Sequence, residues 1–207
     1  MIFNGISVGH MDNNCYLIGC EDTREAAVVD PGAEGERILS KLKELDLVCR
    51  YIILTHGHAD HMGALEMVQK ATGAQVLIHA DDAEMLTNPE TNLSLFVGNA
   101  LRFKAADREL QDGDVVQVGK YPLKTIHTPG HTRGGICILA GDKLITGDTL
   151  FAGSVGRSDF PGGSHRQMIT SIKEKLMIFP PDTGIYPGHG PASTIGAEAK
   201  HNPYLNE

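Results

Sequence analysis

Thr55-His56-Gly57-His58-Ala59-Asp60-His61 is the stretch on which the reading of this chain turns. It follows a short apolar run, Arg50 to Leu54, that reads as a strand, and it precedes Gly63 to Ala71, which reads as a helix. Neutral imidazole and carboxylate are ligands that zinc, iron and manganese accept. Four such groups within six residues cannot all reach one small ion from a regular strand. A turn fans them out in two directions, which fits a site for two metals better than a site for one. Gly57 and Ala59 keep that turn uncrowded, and burying so many titratable groups without a metal would be costly.

Working outward, three later segments carry the same kind of side chain. Thr128-Pro129-Gly130-His131-Thr132, Thr146-Gly147-Asp148-Thr149 and Tyr186-Pro187-Gly188-His189-Gly190 each place a His or Asp on a glycine-permitted turn after a predicted strand. Alone each is an ordinary loop. Together with the first cluster they supply five His and two Asp.

The rest of the chain reads as mixed helix and strand. Strands are predicted over 2–8, 14–18, 26–29, 75–79, 115–118, 123–127, 135–140, 143–145 and 184–186, and helices over 34–47 and from an N-capping Ser164 to about Met177. Residues 81–106 carry no clear pattern beyond room for a short helix and a loop. Antiparallel hairpins such as 136–147 beside α/β crossovers point to an α/β sandwich rather than pure βαβ units. At 207 residues the chain is read as one domain, 1–207, long enough to hold a core without disulfides. Cys15, Cys20, Cys49 and Cys137 show no Cys-x-x-Cys spacing and are expected as free thiols. Acidic residues outnumber basic ones 26 to 18, a net charge of -8, which argues against nucleic acid or an anionic membrane as partner. No secretory leader or membrane span is evident, so a cytoplasmic location is expected.

The order T-H-x-H-x-D-H, then G-H, G-D and P-G-H-G, resembles the metallo-β-lactamase superfamily. The flanks Thr128–Thr132, Thr146–Phe151 and Pro187–Gly190 look most like its glyoxalase II (hydroxyacylglutathione hydrolase) branch, over about Asn14 to Pro191. That resemblance implies a single-domain, four-layer αββα sandwich with two divalent metals, zinc first and iron or manganese as alternatives, at one edge of the sheets. One metal would take His56, His58 and His131, the other Asp60, His61 and His189, and Asp148 would bridge them. Asp30, in Val28-Val29-Asp30-Pro31-Gly32, matches a position that supports the metal loop.

The activity implied is hydrolysis of a small-molecule thioester such as S-D-lactoylglutathione. A hydroxide shared by the metals would attack the acyl carbonyl, with Asp60 orienting it and accepting its proton. A thiol of pKa near ~8.5 leaves readily as thiolate, so no separate general acid is required. Arg157 is the expected substrate anchor, and Phe151, with Phe160, the expected pocket lining. Only Ala192 to Glu207 follow the last motif, too few for the C-terminal helical extension that long glyoxalase II enzymes use to bind glutathione, so another acyl-thiol is an open alternative. Gly156-Arg157-Ser158-Asp159-Phe160 also resembles persulfide dioxygenases, in which one iron would be held by the equivalents of His56, His131 and Asp148. A hydrolase of another substrate is a further alternative. A non-catalytic module with structural zinc fits less well, because structural sites are closed and often rich in thiolate. Oligomeric state is not legible.

Overall fold

Alternation along the strands shows how the layers form. In β2 (Asn13–Gly19), Cys15 and Leu17 face one way and Tyr16 and Ile18 the other. In β3 (Glu25–Val29), Ala26 and Val28 oppose Ala27 and Val29, and in β5 (Gln75–His79), Val76 and Ile78 oppose Leu77. Apolar side chains on both faces mean that this sheet is covered on both sides. The computed structural model describes residues 1–206, with the side chain of Val97 left aside.

The first sheet runs β1 (Ile2–Val8), β2, β3, β4 (Val48–Ile53), β5 and β6 (Arg108–Leu110) in spatial order. Its first three strands pair antiparallel and the last four, β3 to β6, parallel. The second sheet contains β7 (Val115–Val118), β8 (Tyr121–His127), β9 (Ile136–Ala140), β10 (Lys143–Gly147), β13 (Gly184–Pro187) and β14 (Ser193–Thr194). A small ribbon, β11 (Leu150–Phe151) with β12 (Ser154–Val155), follows β10.

Three apolar clusters separate four layers. Ile38 and Leu42 of α1 (Gly35–Glu44), Met62 of α2 (Ala59–Met62) and Leu65 and Val68 of α3 (Leu65–Thr72) pack on the first sheet. Tyr16, Val29, Ile53, Leu77, Ile138 and Ile145 fill the space between the sheets. Met168 of α4 (His165–Ser171) and Ile195 of α5 (Ile195–His201) cover the outer face of the second sheet with Leu144 and Cys137. The result is the αββα sandwich expected from the sequence, and all four cysteines are free and buried.

Some boundaries move for physical reasons. The helix expected to reach Leu47 ends at Glu44, because Asp46 turns left-handed (φ 53°) and Leu47 N–H returns to the Leu42 carbonyl at 2.9 Å. The helix expected from Gly63 is preceded by one turn, α2, which contains Asp60 and His61. The break falls where Ala64 N–H leaves the helix to bond the Pro31 carbonyl at 2.9 Å. Ser164 does cap α4, accepting from Gln167 N–H, and the helix continues as a π turn, Ile172–Leu176. β6, β14, the β11–β12 ribbon and α5 were not legible from periodicity.

Candidate metal centre

The parallel pairs β3/β4 and β10/β13, and β8 two antiparallel steps from β10, direct five strands toward one edge. Asp30, His56 to His61, His131, Asp148 and His189 all follow those strands. At this edge the sheets are joined directly, Ile136 N–H donating to the Thr55 carbonyl at 2.8 Å. All seven residues expected as ligands therefore meet, although they span 134 positions of chain, from 56 to 189.

They form two adjoining groups. His56 Nε2 and His58 Nδ1 lie 3.2 and 2.9 Å from His131 Nε2. In the other group His189 Nε2 and His61 Nε2 lie 3.1 and 3.6 Å from Asp60 Oδ2. Asp148 stands between them, Oδ1 at 3.4 Å from His61 Nε2 and Oδ2 at 3.6 and 3.8 Å from His131 Nε2 and His189 Nε2.

Outer partners set which ring nitrogen faces inward. His131 Nδ1 donates to the Arg157 carbonyl at 2.6 Å, His61 Nδ1 to Asp30 at 3.0 Å and His189 Nδ1 to the Met11 carbonyl at 2.9 Å. Each thereby points Nε2 at the centre, where a lone pair is available once that nitrogen carries no proton. His61 Nε2 and Asp148 Oδ1 are buried without any hydrogen-bond partner. Unpartnered ligand-type atoms converging in this way are what a cation would satisfy, once His61 gives up its proton. The donor set fits a pair of divalent ions of borderline hardness: five imidazoles, two carboxylates and no thiolate. Gly188 makes the close approach possible, because a Cβ there would lie 2.5 Å from Asp148 Oδ1 and 2.6 Å from His61 Cε1.

Burial, reinforced by His61, His131 and His58, holds the His56 pKa well below the ordinary value. His58 is pushed down to about 3 by burial and by His131. Both keep lone pairs free. His61 is the exception: burial alone would expel its proton, but Asp148, Asp60 and Asp30 outweigh that and hold its pKa well above 6.5. In the metal-free protein a protonated His61 thus sits among three carboxylates, and metal uptake must displace its proton. Metal affinity is expected to fall as pH falls, with proton release on Zn2+ binding seen as a buffer-dependent calorimetric enthalpy. In the metal-free protein the sign is opposite. The His61 contribution to stability is fully present below 6.5 and is lost as pH rises through its folded pKa.

Asp30 lies where the sequence placed it, beneath the loop. It is 1% exposed, in the left-handed region (φ 51°), and accepts from Thr55 N–H at 2.7 Å, Thr55 Oγ1–H at 2.6 Å and His61. Three supports went unread in the sequence. Asp82, also 1% exposed, accepts from Gly57 N–H (3.3 Å), Thr132 Oγ1–H (2.7 Å) and Gly134 N–H (2.7 Å), tying the two histidine loops together. Asn14 Nδ2 donates to the Pro187 and Gly190 carbonyls at 3.0 and 2.9 Å. The hydroxyl of Tyr16 also donates to the Pro187 carbonyl, at 2.7 Å. Nothing in their local sequence distinguishes these residues from turn or strand residues.

Arg157 and Phe151 both line the cavity above the centre, a space of about 880 Å³. The Arg157 guanidinium is engaged, with Nε and Nη2 on the two oxygens of Asp159 (3.0 and 2.9 Å) and Cζ 4.3 Å from the Phe160 ring centroid. His127 stacks on His79 at 4.0 Å, 14° from parallel. With Asp81 these two form a further His–Asp–His group. The nitrogens nearest Asp81 are already used, however: His79 Nδ1 accepts from Asp81 N–H and His127 Nε2 donates to the Arg133 carbonyl. In-plane lone pairs of stacked rings do not converge on one ion, so this pair is packing.

The metallo-beta-lactamase superfamily family model matches residues 8–189. Hydroxyacylglutathione hydrolase GloC of Haemophilus influenzae is 36% identical, over 97% of this chain and 96% of its own. The BLEG-1 B3 metallo-beta-lactamase crystal structure superposes with a TM-score of 0.95 at 34% identity, covering 100% of both chains. ETHE1 from Myxococcus xanthus superposes at 0.86 with 32% identity, covering 100% of this chain and 86% of that one. The fold, the family match and the clustered His and Asp donors agree, and the chain belongs to the metallo-beta-lactamase superfamily as one of its metallo-hydrolases.

Proposed function

We propose that the protein is a glyoxalase II-like hydrolase of small-molecule thioesters, working with two divalent metals, zinc first among them. The observation that carries this reading is the bridging position of Asp148 between two adjoining donor groups at the floor of an open cavity. His56, His58 and His131 would hold one ion, Asp60, His61 and His189 the other, and Asp148 would be shared. When bound, such a pair supplies Lewis acidity and a water acidified toward neutral pH.

The protein's own groups supply the rest. Asp60 is partly open to the cavity and is kept ionised: burial opposes this, but His61 and His189 outweigh it. It is therefore better suited to orienting a polar hydrogen than to storing a proton. A thiolate needs no proton donor to leave, and the described cavity wall offers no lysine, cysteine or tyrosine; its one histidine outside the donor groups, His10, is exposed. Similarity to GloC supports the thioester class.

Metal content measured on the purified protein, with S-D-lactoylglutathione hydrolysis and oxygen uptake on glutathione persulfide assayed side by side, tests the reading. Two metals per chain with thioester cleavage is the expected result. One iron with oxygen uptake would instead establish the dioxygenase suggested by Gly156–Phe160. Full activity after exhaustive chelation would remove metals from either account.

A further inference from the structure

We propose that the cavity selects thioesters whose body beyond the C(=O)–S group is apolar and uncharged, rather than conjugates of a carboxylated thiol such as glutathione. This rests on the thioester reading and names the substrate class within it.

Charge is the first argument. Arg157 is the one Lys or Arg side chain among the described residues that line the cavity, and Asp159 already matches it with two hydrogen bonds. A glutathione conjugate brings two carboxylates, and each would have to compete with Asp159 for that single guanidinium. Both partners of the pair are mostly exposed, so opening it costs little. The exchange leaves Asp159 unpaired, however, and the second carboxylate with no further Lys or Arg on the described lining.

The wall is the second argument. Beside Arg157 the lining includes Met11, Leu93, Phe96 and Leu101, with Phe151 and Phe160 adding to its apolar part. Met11 and Phe96 are 61% and 77% exposed. Apolar surface left open beside a reactive centre marks a binding face rather than ordinary packing.

This wall is held in register with the metal loop. The Asn92 carbonyl accepts from Ala59 N–H at 3.0 Å, between His58 and Asp60 in sequence. The fully buried Asn92 side chain fixes its own segment, donating to the Met85 and Leu101 carbonyls at 2.9 and 3.1 Å and accepting from Ser94 N–H at 3.0 Å. Leu93, next in line, is forced into the left-handed region (φ 66°), a conformation rare for a bulky residue and kept only where its surroundings impose it. The strained turn that presents Leu93 and Phe96 to the cavity is thus tied to the loop of the reacting centre. A chain extending from the carbonyl would lie along it.

The test uses the metal-loaded protein and N-acetylcysteamine thioesters with acyl chains of two to eight carbons, with S-D-lactoylglutathione for comparison. Each methylene that reaches the wall should raise kcat/KM about two- to fourfold, since burying one is worth up to ~0.8 kcal/mol. Phe96→Ser, a change at an exposed position, should flatten this slope. Asp159→Asn should raise kcat/KM for S-D-lactoylglutathione several-fold relative to the neutral esters by releasing Arg157. In parallel, calorimetry with unreactive S-alkyl-N-acetylcysteamine thioethers reads binding without turnover. Thioester cleavage that favours S-D-lactoylglutathione, with no chain-length dependence, overturns this proposal and leaves the thioester reading intact. Chain-dependent thioether binding without cleavage of any thioester overturns that reading and leaves the apolar cavity standing. Absence of both removes both.

Discussion

Asp148→Asn should reduce bound metal from two ions per chain to one or none, and lower kcat/KM by about a thousandfold or more. The substitution keeps shape and removes charge. Asp148 is the carboxylate that stands between the two groups, facing His61 with one oxygen and His131 and His189 with the other. Burial opposes its charge, yet the imidazoles of His61, His131 and His189 outweigh that and keep its pKa below the ordinary value, so the carboxylate is available at any pH at which the protein works. An amide there would present a neutral oxygen to one group and N–H donors to the other, leaving the three-imidazole group with no anionic ligand and the second group with Asp60 alone. Charge stabilisation by the ions is worth several kcal/mol, each 1.36 kcal/mol being tenfold in rate, which sets the scale of the loss. Metal analysis and steady-state kinetics on the same preparation provide the check. His189→Ala is the useful contrast, because it strips the second group alone and should leave the three-imidazole group able to hold one ion. An Asp148→Asn protein that keeps two metals and lies within tenfold of the parent would show that the two groups do not share this residue.

What could be read from the chain follows the length scale of the forces involved. Strand alternation and the histidine turns are local, and they gave the sandwich and the seven converging side chains. Asp82 was beyond reach because its role exists only after the two sheets have packed together and brought the turns that follow β5 and β8 into contact. In the sequence it is one of two adjacent aspartates in a 3₁₀ turn, Ala80–Leu86. Asn92 and Leu93 were hidden for a related reason: that segment is ordered by side-chain-to-backbone bonds from Asn92 rather than by any apolar period.

The C-terminal elements illustrate the same limit. α5 is seven residues long and β14 two, too short for periodicity to reveal. Their importance comes from Glu198, 4% exposed, whose carboxylate accepts from Gly153 N–H at 2.8 Å and from Asn202 Nδ2 at 2.8 Å, and so steadies the ribbon that carries Phe151. Arg157 was singled out for its cation, yet its backbone carbonyl also orients His131, a contact with no signature in residue type. The seven-residue motif therefore announced the chemistry, while the groups that hold it in shape emerged only with the fold.

Asp30→Ala should be the most destabilising single change at the site, by about 3–5 kcal/mol, because it strands several buried groups at once. Thr55 N–H, the Thr55 hydroxyl and His61 Nδ1 all depend on this carboxylate, and it is 1% exposed, so water does not replace it. Alanine would also inherit a left-handed backbone (φ 51°) that Asp tolerates better. For a chain of this size the loss corresponds to a fall in melting temperature of roughly 10–15 °C. It should appear in the metal-free protein, since the bonds involved are within the chain, and metal affinity should fall a further 10–100-fold as His61 loses its orientation. Three variants separate the causes. Asp30→Gly relieves the backbone but not the donors, Asp30→Asn keeps a shape that accepts at one oxygen, and Thr55→Val removes the hydroxyl alone. Denaturant unfolding of the metal-free proteins should rank Asp30→Ala below Asp30→Gly, and Asp30→Asn above both. If Asp30→Ala unfolds within 1 kcal/mol of the parent, the loop is held from elsewhere, and the three hydrogen bonds are a consequence of its shape rather than the cause.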